Sequence, residues 1–475
     1  MNWKPPRKSI SDLNAIHVPN ESGDAVAHFE WPDEIAFEWE DLVMSLARTL
    51  AMALPEKGLT QEERLQLARS VAMPTAERIN VFLEKEEAEF SFSDKLEILA
   101  DIRPAISGEV GAAVADLVME HFNCHWRSNG NDAGFVIAKG VDVTDERIPD
   151  FVYDPGGKGG FEPGQLIAVE AKGSLSKTGG PRPAIKRLAK KAFGGQVKKY
   201  LGAKADGCLI AAGYGVAYGS VPGSRESTLA IASSHKFQTA LQPHKVPVPL
   251  SAAATGQILP APAEAEAELH HDEEQQEDRS KMDLRTAPQI EYRQDERRSE
   301  READDTGGLG DGGDDGGRER GGGRPRATPA RRVALANYET VFQLCGALAA
   351  ARSIRDILSD ERTRVSETAD RFQEFYEIGD GEPILIGSPY RYAWWYPDHS
   401  FGISAKSAEE ILKIIAQPGE LPPSLDLSVV PFDRRRIRDG AIEANFQGDG
   451  FAFLTSWSGP YRHRTWDLRE GAWAD

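Results

Sequence analysis

The sequence predicts an α/β protein. Its centre is a mixed β-sheet flanked by helices, with a helical region before it and a separate α+β domain after it. Three observations carry this. Between residues 101 and 250, short apolar runs alternate with longer amphipathic ones. The stretch 251–332 holds one aromatic residue, Tyr292, and almost no apolar cluster. Beyond it, helical periodicity gives way to aromatic-rich runs, and five of the nine tryptophans lie past residue 390.

At 475 residues the chain is long enough for two or three domains. The formal charge is −19, from 56 basic and 75 acidic side chains. That excludes a protein that coats nucleic acid along its whole length, but leaves local basic patches open. Cys124, Cys208 and Cys345 are far apart, with no CxxC pair, so neither a disulfide framework nor a cysteine-based zinc site is expected. The start, Met1-Asn-Trp-Lys-Pro-Pro-Arg-Lys8, has no apolar run behind its charges and does not read as a secretory signal. The best apolar run, residues 42–54, is short and contains Arg48, so it cannot span a bilayer. A soluble, cytoplasmic protein with no membrane partner is expected.

Residues 1–100 read as helical. Ile35, Phe37, Trp39, Leu42, Val43, Leu46 and Leu50 are taken as one helical face over 33–54. Thr60 and Glu63 form a capping box opening 64–73. Pro74 is expected to break that helix, with Thr75 capping another through Leu83. Residues 101–250 change character: a helix over 107–122, strands at 135–138, 151–153 and 166–170, a helix over 184–202, and strands at 208–212 and 228–232. The glycine-rich stretch 213–219 reads as a loop. Residues 251–332 read as a disordered linker, acidic at first and glycine-rich at its end, with ten glycines in 307–323. The C-terminal α+β domain over 333–475 opens with a long helix over 334–358, continues helical over 360–376, and has strand-like runs at 383–386, 392–396 and 451–454 and a short helix at 408–416.

The chemistry concentrates between residues 148 and 200. Asp150 opens the apolar run 151–153, and Glu170 ends the strand that starts at Leu166. Glu170 and Lys172 share a face of that strand, because side chains alternate with period two. A hairpin joining the two strands brings Asp150 beside Glu170. Two adjacent carboxylates repel unless a divalent cation lies between them, and an all-oxygen site suits Mg²⁺ or Mn²⁺. The Lys172 ammonium points at the same spot, where it can orient water and offset charge on a pentacovalent phosphate. From Ala171 to Ala205 there are ten basic residues and no acidic one. Lys186, Arg187, Lys190, Lys191, Lys198 and Lys199 make this block a candidate phosphate-backbone contact. Gln196 and Tyr200, four apart, share one face of their helix.

These residues resemble a family. Pro149-Asp150 followed by Glu170-Ala171-Lys172 is a literal match to the motif of the PD-(D/E)xK nuclease superfamily. Gln196-Val-Lys-Lys-Tyr200 is similar to the QxxxY motif of its exonuclease branch. Glu109, in Ser107-Gly-Glu-Val-Gly111, matches the acidic residue on that family's first core helix. The resemblance covers residues 100–235. It implies a restriction-endonuclease-like sheet and Mg²⁺-dependent phosphodiester hydrolysis. The implied metal ligands are Asp150, Glu170 and the Ala171 carbonyl, with Glu109 as accessory ligand. Lys172 is implied as water-orienting base or electrostatic stabiliser. The long insert 154–164 between the motif strands departs from the pattern and reads as an extended hairpin loop.

Plainer alternatives stand beside each residue. Asp150 can cap a turn, Glu170 and Lys172 can form a surface ion pair, and Glu109 can simply favour the start of its helix. Gln196 and Tyr200 can be packing residues, and the basic block a solvated face. In the C-terminal domain, Arg434, Arg435, Arg436, Arg438, Arg462 and Arg464 with Trp394, Trp395, Trp457 and Trp466 can hold unpaired bases or a protein surface, or can be a core with a solvated rim. The expected activity is that of a metal-dependent deoxyribonuclease in restriction, antiviral defence or repair. The expected partners are DNA and a protein at the C-terminal domain, and a homodimer is compatible with this. The alternative is a catalytically silent nuclease fold that docks nucleic acid or a partner protein.

Overall fold

The structure is a computed structural model. It describes residues 3–19, 29–54, 59–98, 100–130, 148–205, 208–239, 329–360, 370–379, 383–387, 400–416, 436–439, 442–457 and 461–474. The expected linker, apart from its last four residues, and the expected strands at 135–138 and 392–396 lie outside the described residues, as do Trp394, Trp395, Arg434 and Arg435.

The N-terminal region begins with strands, not helices: β1 (Arg7–Ile10), β2 (Asp12–His17), β3 (Glu30–Trp31) and β4 (Ile35–Glu38). Ile35 and Phe37 are buried while Ala36 and Glu38 are half-buried, a period-two pattern that belongs to a strand. The helical face starts only at Trp39, in α1 (Trp39–Ala53). α2 (Gln61–Phe82) opens with the Thr60–Glu63 capping box and runs through Pro74. Pro74 and Ser70, one turn earlier, are both exposed, so water can satisfy the carbonyl that proline leaves without a donor. A short turn, α3 (Lys95–Ile98), leads to α4 (Arg103–His121).

Among the described residues the central sheet is mixed and has seven strands, in keeping with a mixed α/β protein. It contains β5 (Trp126–Asn129), β6 (Phe151–Asp154), β7 (Gln165–Ser174), β8 (Lys204–Ala205), β9 (Cys208–Ser220) and β10 (Ser227–Ser233). The order is β2-β10-β9-β7-β6-β5, with β8 on β9. β7 and β9 are parallel, as are β10 and β2; β5, β6 and β7 are antiparallel neighbours. A small pair joins β3 to β11 (Gln238–Thr239). The expected glycine-rich loop at 213–219 is part of β9. Its glycines admit a helix: a Cβ on Gly215 would lie 2.4 Å from the Ala189 carbonyl oxygen.

That helix is α5 (Arg182–Ala192), which buries Ile185, Ala189 and Ala192 at helical spacing. The single helix expected over 184–202 is instead α5, a π-helical turn at Phe193–Val197 and a 3₁₀ turn at Lys198–Tyr200. α4 covers the opposite face of the sheet. A Cβ on Gly111 would meet the Gly173 nitrogen at 2.5 Å, so α4 and β7 touch backbone to backbone.

The C-terminal part opens with α6 (Pro329–Leu344) and α7 (Leu348–Asp360). The one helix expected there is two, separated at Gly346, whose φ is +82°. A sheet of eight strands among the described residues follows. Its strands are β12 (Phe372–Ile378), β13 (Ile384–Ile386), β14 (Ser400–Ser404), β15 (Arg436–Asp439), β16 (Ile442–Phe446), β17 (Phe451–Trp457), β18 (Tyr461–Asp467) and β19 (Ala472–Ala474). Phe372–Ile378 is thus a strand where the sequence predicts a continuing helix. The strand order is β15-β16-β17-β14-β13-β12-β18-β19, and α8 (Ala405–Ala416) follows β14.

This part is not a separate domain. Residues 1–241 and 323–475 form one unit, and one continuous apolar core runs from Phe37 and Leu46 through Val118 and Val169 to Leu335, Phe342 and Phe451. α6 packs on β5 and α1. The pattern of the C-terminal segment does predict buried faces. What it does not show is that one of them is buried by the N-terminal half. Among the described residues no helix is long and apolar enough to cross a membrane.

Candidate active site

β6 and β7 pair Phe151 with Val169 and Val152 with Ala168. One step further, Asp150 stands opposite Glu170. Glu170's carboxylate is tied to the backbone of Asp150, and Asp150's carboxylate to the backbone of Ala171, next to Glu170. The Asp150 amide donates to Glu170 Oε2 at 3.1 Å, and the Ala171 amide donates to Asp150 Oδ2 at 2.9 Å. Lys172 Nζ donates to Glu170 Oε1. Glu170 is thus bonded by Lys172, on the same face of β7 as the period-two pattern predicts, and lies within reach of the Asp150 charge.

The face is settled by the glycines. Gly173 meets α4, so the odd positions of β7 face α4. Glu170 pairs with Gly215, which meets α5 and the π turn. Glu170 therefore lies on the α5 side.

The Glu170 side chain is fully buried. Burial first, and the nearby Asp150 charge second, push its pKa up to about 7, against the pull of Lys172 and the Asp150 amide. A like-charged pair in a dry setting is unfavourable, and a cation is what relieves it. Lys172 itself is 37 % exposed, so its ammonium reaches the surface while bonded to a buried carboxylate.

Gln196 belongs to the π turn, and its Nε2 donates to the Ile148 carbonyl at 3.3 Å. This ties the end of α5 to the segment leading into Asp150. Tyr200 does not share a regular helical face with Gln196, because the backbone between them passes from π to 3₁₀ geometry. Tyr200 is buried, with Lys199 Nζ 5.2 Å from its ring centroid.

Glu109 departs from the expected ligand set. It sits on α4, and its carboxylate is engaged by Arg78 of α2 at 2.5 Å. Burial pushes its pKa up, against the pull of Arg78. Among the described residues no group of three or more His, Cys, Asp or Glu side chains is placed to hold a metal ion. The structure brings together two of the expected carboxylates, Asp150 and Glu170, and directs the third elsewhere. Ala171 enters this arrangement through its amide.

The basic block forms the outer side of α5 and the turns after it. Arg187, Lys190, Lys191 and Lys198 are exposed, while Lys186 and Lys199 are half-buried. Among the described residues no carboxylate forms an ion pair with Lys186, Arg187, Lys190, Lys191 or Lys198.

Sequence reasoning missed two things. Arg78 as the partner of Glu109 had no local mark. The buried polar residues around β5 and β6, Asp116, Glu120, Arg127 and Tyr153, had one: Asp116 and Glu120 lie four apart among the apolar residues 110–119 of α4.

Comparison with protein-family models, with curated proteins and with solved structures finds no match to this chain.

Proposed function

We propose that the chain is a divalent-metal-dependent nuclease that hydrolyses phosphodiester bonds, with Asp150 and Glu170 as metal ligands. The observation that carries this reading is the pairing of these carboxylates across β6 and β7, with Lys172 bonded to Glu170. The mixed sheet, with α4 on one face and α5 on the other, supports kinship with restriction-endonuclease-like nucleases.

The residues present fit the metal. Two oxygen-only side chains, one buried and holding its proton to about pH 7, form a site whose repulsion a divalent cation removes. Mg²⁺ is bound through one or two carboxylates and keeps several waters and substrate oxygens, so a third protein carboxylate is not required. Bound there, Mg²⁺ or Mn²⁺ would supply a Lewis acid and a water of lowered pKa. The chain's own residues do the rest. Asp150 and Glu170 hold the cation, and Lys172, released from Glu170, offsets charge on the phosphate. The exposed cations of α5 hold the nucleic-acid backbone, and Gln196 fixes the end of α5 against the strand that carries Asp150.

DNA as substrate, and a role in restriction, phage defence or repair, extend this proposal by family likeness. One observation favours a second reading, a nucleic-acid docking protein without turnover: Glu109 is engaged by Arg78 and does not join the pair. Purified full chain with supercoiled, linear and single-stranded DNA and with RNA, in Mg²⁺, Mn²⁺ and EDTA, separates the two. Metal-dependent cutting of any of these supports the nuclease. Tight binding with no cutting supports the docking protein.

A further inference from the structure

Two adjoining clusters of buried polar contacts lie between the C-terminal half and β6, the strand that follows Asp150. Asp449, in the turn between β16 and β17, pairs with Arg48 of α1 at 2.6 Å. Asn337 of α6 donates to the same carboxylate at 2.8 Å, and Tyr338 donates to the Asp449 carbonyl at 3.1 Å. Arg48 also donates to Asn337 Oδ1 at 3.3 Å and lies 4.6 Å over the Phe451 ring. Next to this cluster, Arg127 of β5 pairs with Asp116 and Glu120 of α4, and Glu120 bonds His125 Nδ1 at 2.8 Å. The neighbouring turn residue is fitted to that histidine: a Cβ on Gly448 would lie 2.0 Å from His125 Cε1. This second cluster reaches β6, where Tyr153 OH donates to Asp116 Oδ1 at 2.9 Å. Arg48, Asp116, Glu120, Arg127, Tyr153, Asn337 and Asp449 are all buried.

Such a cluster is costly unless every charge is answered. Taking one partner from a buried pair leaves the other uncompensated, which costs far more than exchanging both for apolar groups. Burial pushes the Asp449 carboxyl up, yet Arg48 beside it, by charge and hydrogen bond, holds it below the usual carboxylate range. Asp449 is therefore needed to answer Arg48. Without it, Arg48 is left to compete for Glu120, whose charge it already feels, and with it for the contacts that fix Arg127, Asp116 and Tyr153. Tyr153 lies on β6, three residues after Asp150, and faces α4, on the opposite side of the sheet from the carboxylate pair.

We propose that Asp449, together with Arg48, is a positioning residue for the Asp150–Glu170 pair. It acts through the Arg127, Asp116 and Tyr153 contacts that hold β6 in register, so the C-terminal segment completes the metal site without touching it. This rests on reading Asp150 and Glu170 as metal ligands.

The test has two arms on the full chain, comparing wild type with Asp449→Asn. The first is amide hydrogen exchange, which involves no metal. Asp449→Asn should speed exchange in 126–129 and 151–154 by at least about tenfold. The second is Mn²⁺ affinity, which should weaken by about tenfold, as is usual when an outer partner of a metal site is lost. Tyr153→Phe, at the other end of the contacts, should weaken Mn²⁺ similarly while leaving exchange in 442–457 unchanged. If Asp449→Asn does not fold, Arg48→Met with Asp449→Leu removes the unanswered charge as well, and should keep exchange in 126–129 and 151–154 and Mn²⁺ affinity within about twofold of wild type. A change of about tenfold in this variant would show that the unanswered Arg48 is not the cause and would overturn the proposal. Faster exchange confined to the C-terminal strands, with 126–154 as in wild type, overturns the proposal. If Mn²⁺ binds neither protein, the ligand reading fails, and the exchange arm still decides whether Asp449 holds β6.

Discussion

Glu170 is the residue at which proton, metal and stability meet. It titrates at about 7 when folded, against 4.5 for an ordinary glutamate. Between those values the folded chain holds a proton that the unfolded chain has lost. The stability this contributes is complete below pH 4.5 and is lost as pH rises through 7. In EDTA, the wild type should therefore lose about 3 kcal/mol at this group between pH 4.5 and 8. Glu170→Gln, neutral throughout, should be the more stable protein at pH 8 and nearly equal at pH 4.5. Urea midpoints at both values measure this, and a variant that is weaker at pH 8 contradicts the raised pKa. The same proton competes with a cation. Mn²⁺ affinity should rise as pH increases through about 7, with proton release on binding below it. Calorimetry in two buffers of different ionisation enthalpy detects that proton, and Glu170→Gln should abolish it.

At the scale of elements, α5 carries two testable features. Its outer side should hold the phosphate backbone. Reversing Lys186, Arg187, Lys190 and Lys191 to Glu should weaken binding without selecting among sequences, and should lower the salt slope by about 0.9 per lost contact on duplex DNA. Unchanged affinity and slope make the block a solvated face. Its inner side packs on β9 through glycine. Gly215→Ala places a methyl group 2.4 Å from the Ala189 carbonyl and should cost about 1–3 kcal/mol by overpacking. Gly194→Ala meets nothing within 4 Å and should stabilise the turn by up to about 1 kcal/mol. Thermal unfolding of the two variants should move in opposite directions.

These elements also show what the sequence made legible. The carboxylate pair was readable because it depends on two adjacent strands and on side-chain alternation, both local. The basic block was readable from charge alone, ten basic residues and no acidic one between Ala171 and Ala205. The stretch 213–219 was not, since glycine in a turn and glycine beneath a packed helix look alike until the helix is placed. β2 was hidden too. Its main partner, β10, pairs Asp12 with Thr228, a partnership that no nearby residue announces. Glu109 matched a motif position, but its carboxylate is claimed by Arg78, which the motif does not include.

Across the whole molecule, the two ordered stretches are joined by more than chain connectivity. Arg48 and Asp449, both fully buried, come from opposite halves, and a shared apolar core surrounds them. The described halves should unfold together, in a single calorimetric transition. A fragment ending near residue 250 should expose the surface that α6 covers and leave Arg48 without its carboxylate, so it should be poorly folded and inactive. A well-folded fragment with its own sharp transition would mean that the C-terminal half is an attachment. The linker composition suggested separable modules because it shows where the chain crosses over, and not what the ends do afterwards.

The central claim, that Asp150 and Glu170 form the catalytic metal site, is tested most directly by one comparison. Wild-type full chain and Asp150→Asn, each shown to be folded, are incubated with the same nucleic acid in Mg²⁺. Asp150→Asn changes one ligand charge with little change of volume. The account predicts that the wild type cuts and that the variant is slower by roughly three orders of magnitude or more, as expected when transition-state stabilisation of several kcal/mol is removed. Equal cutting rates for the two proteins would contradict it.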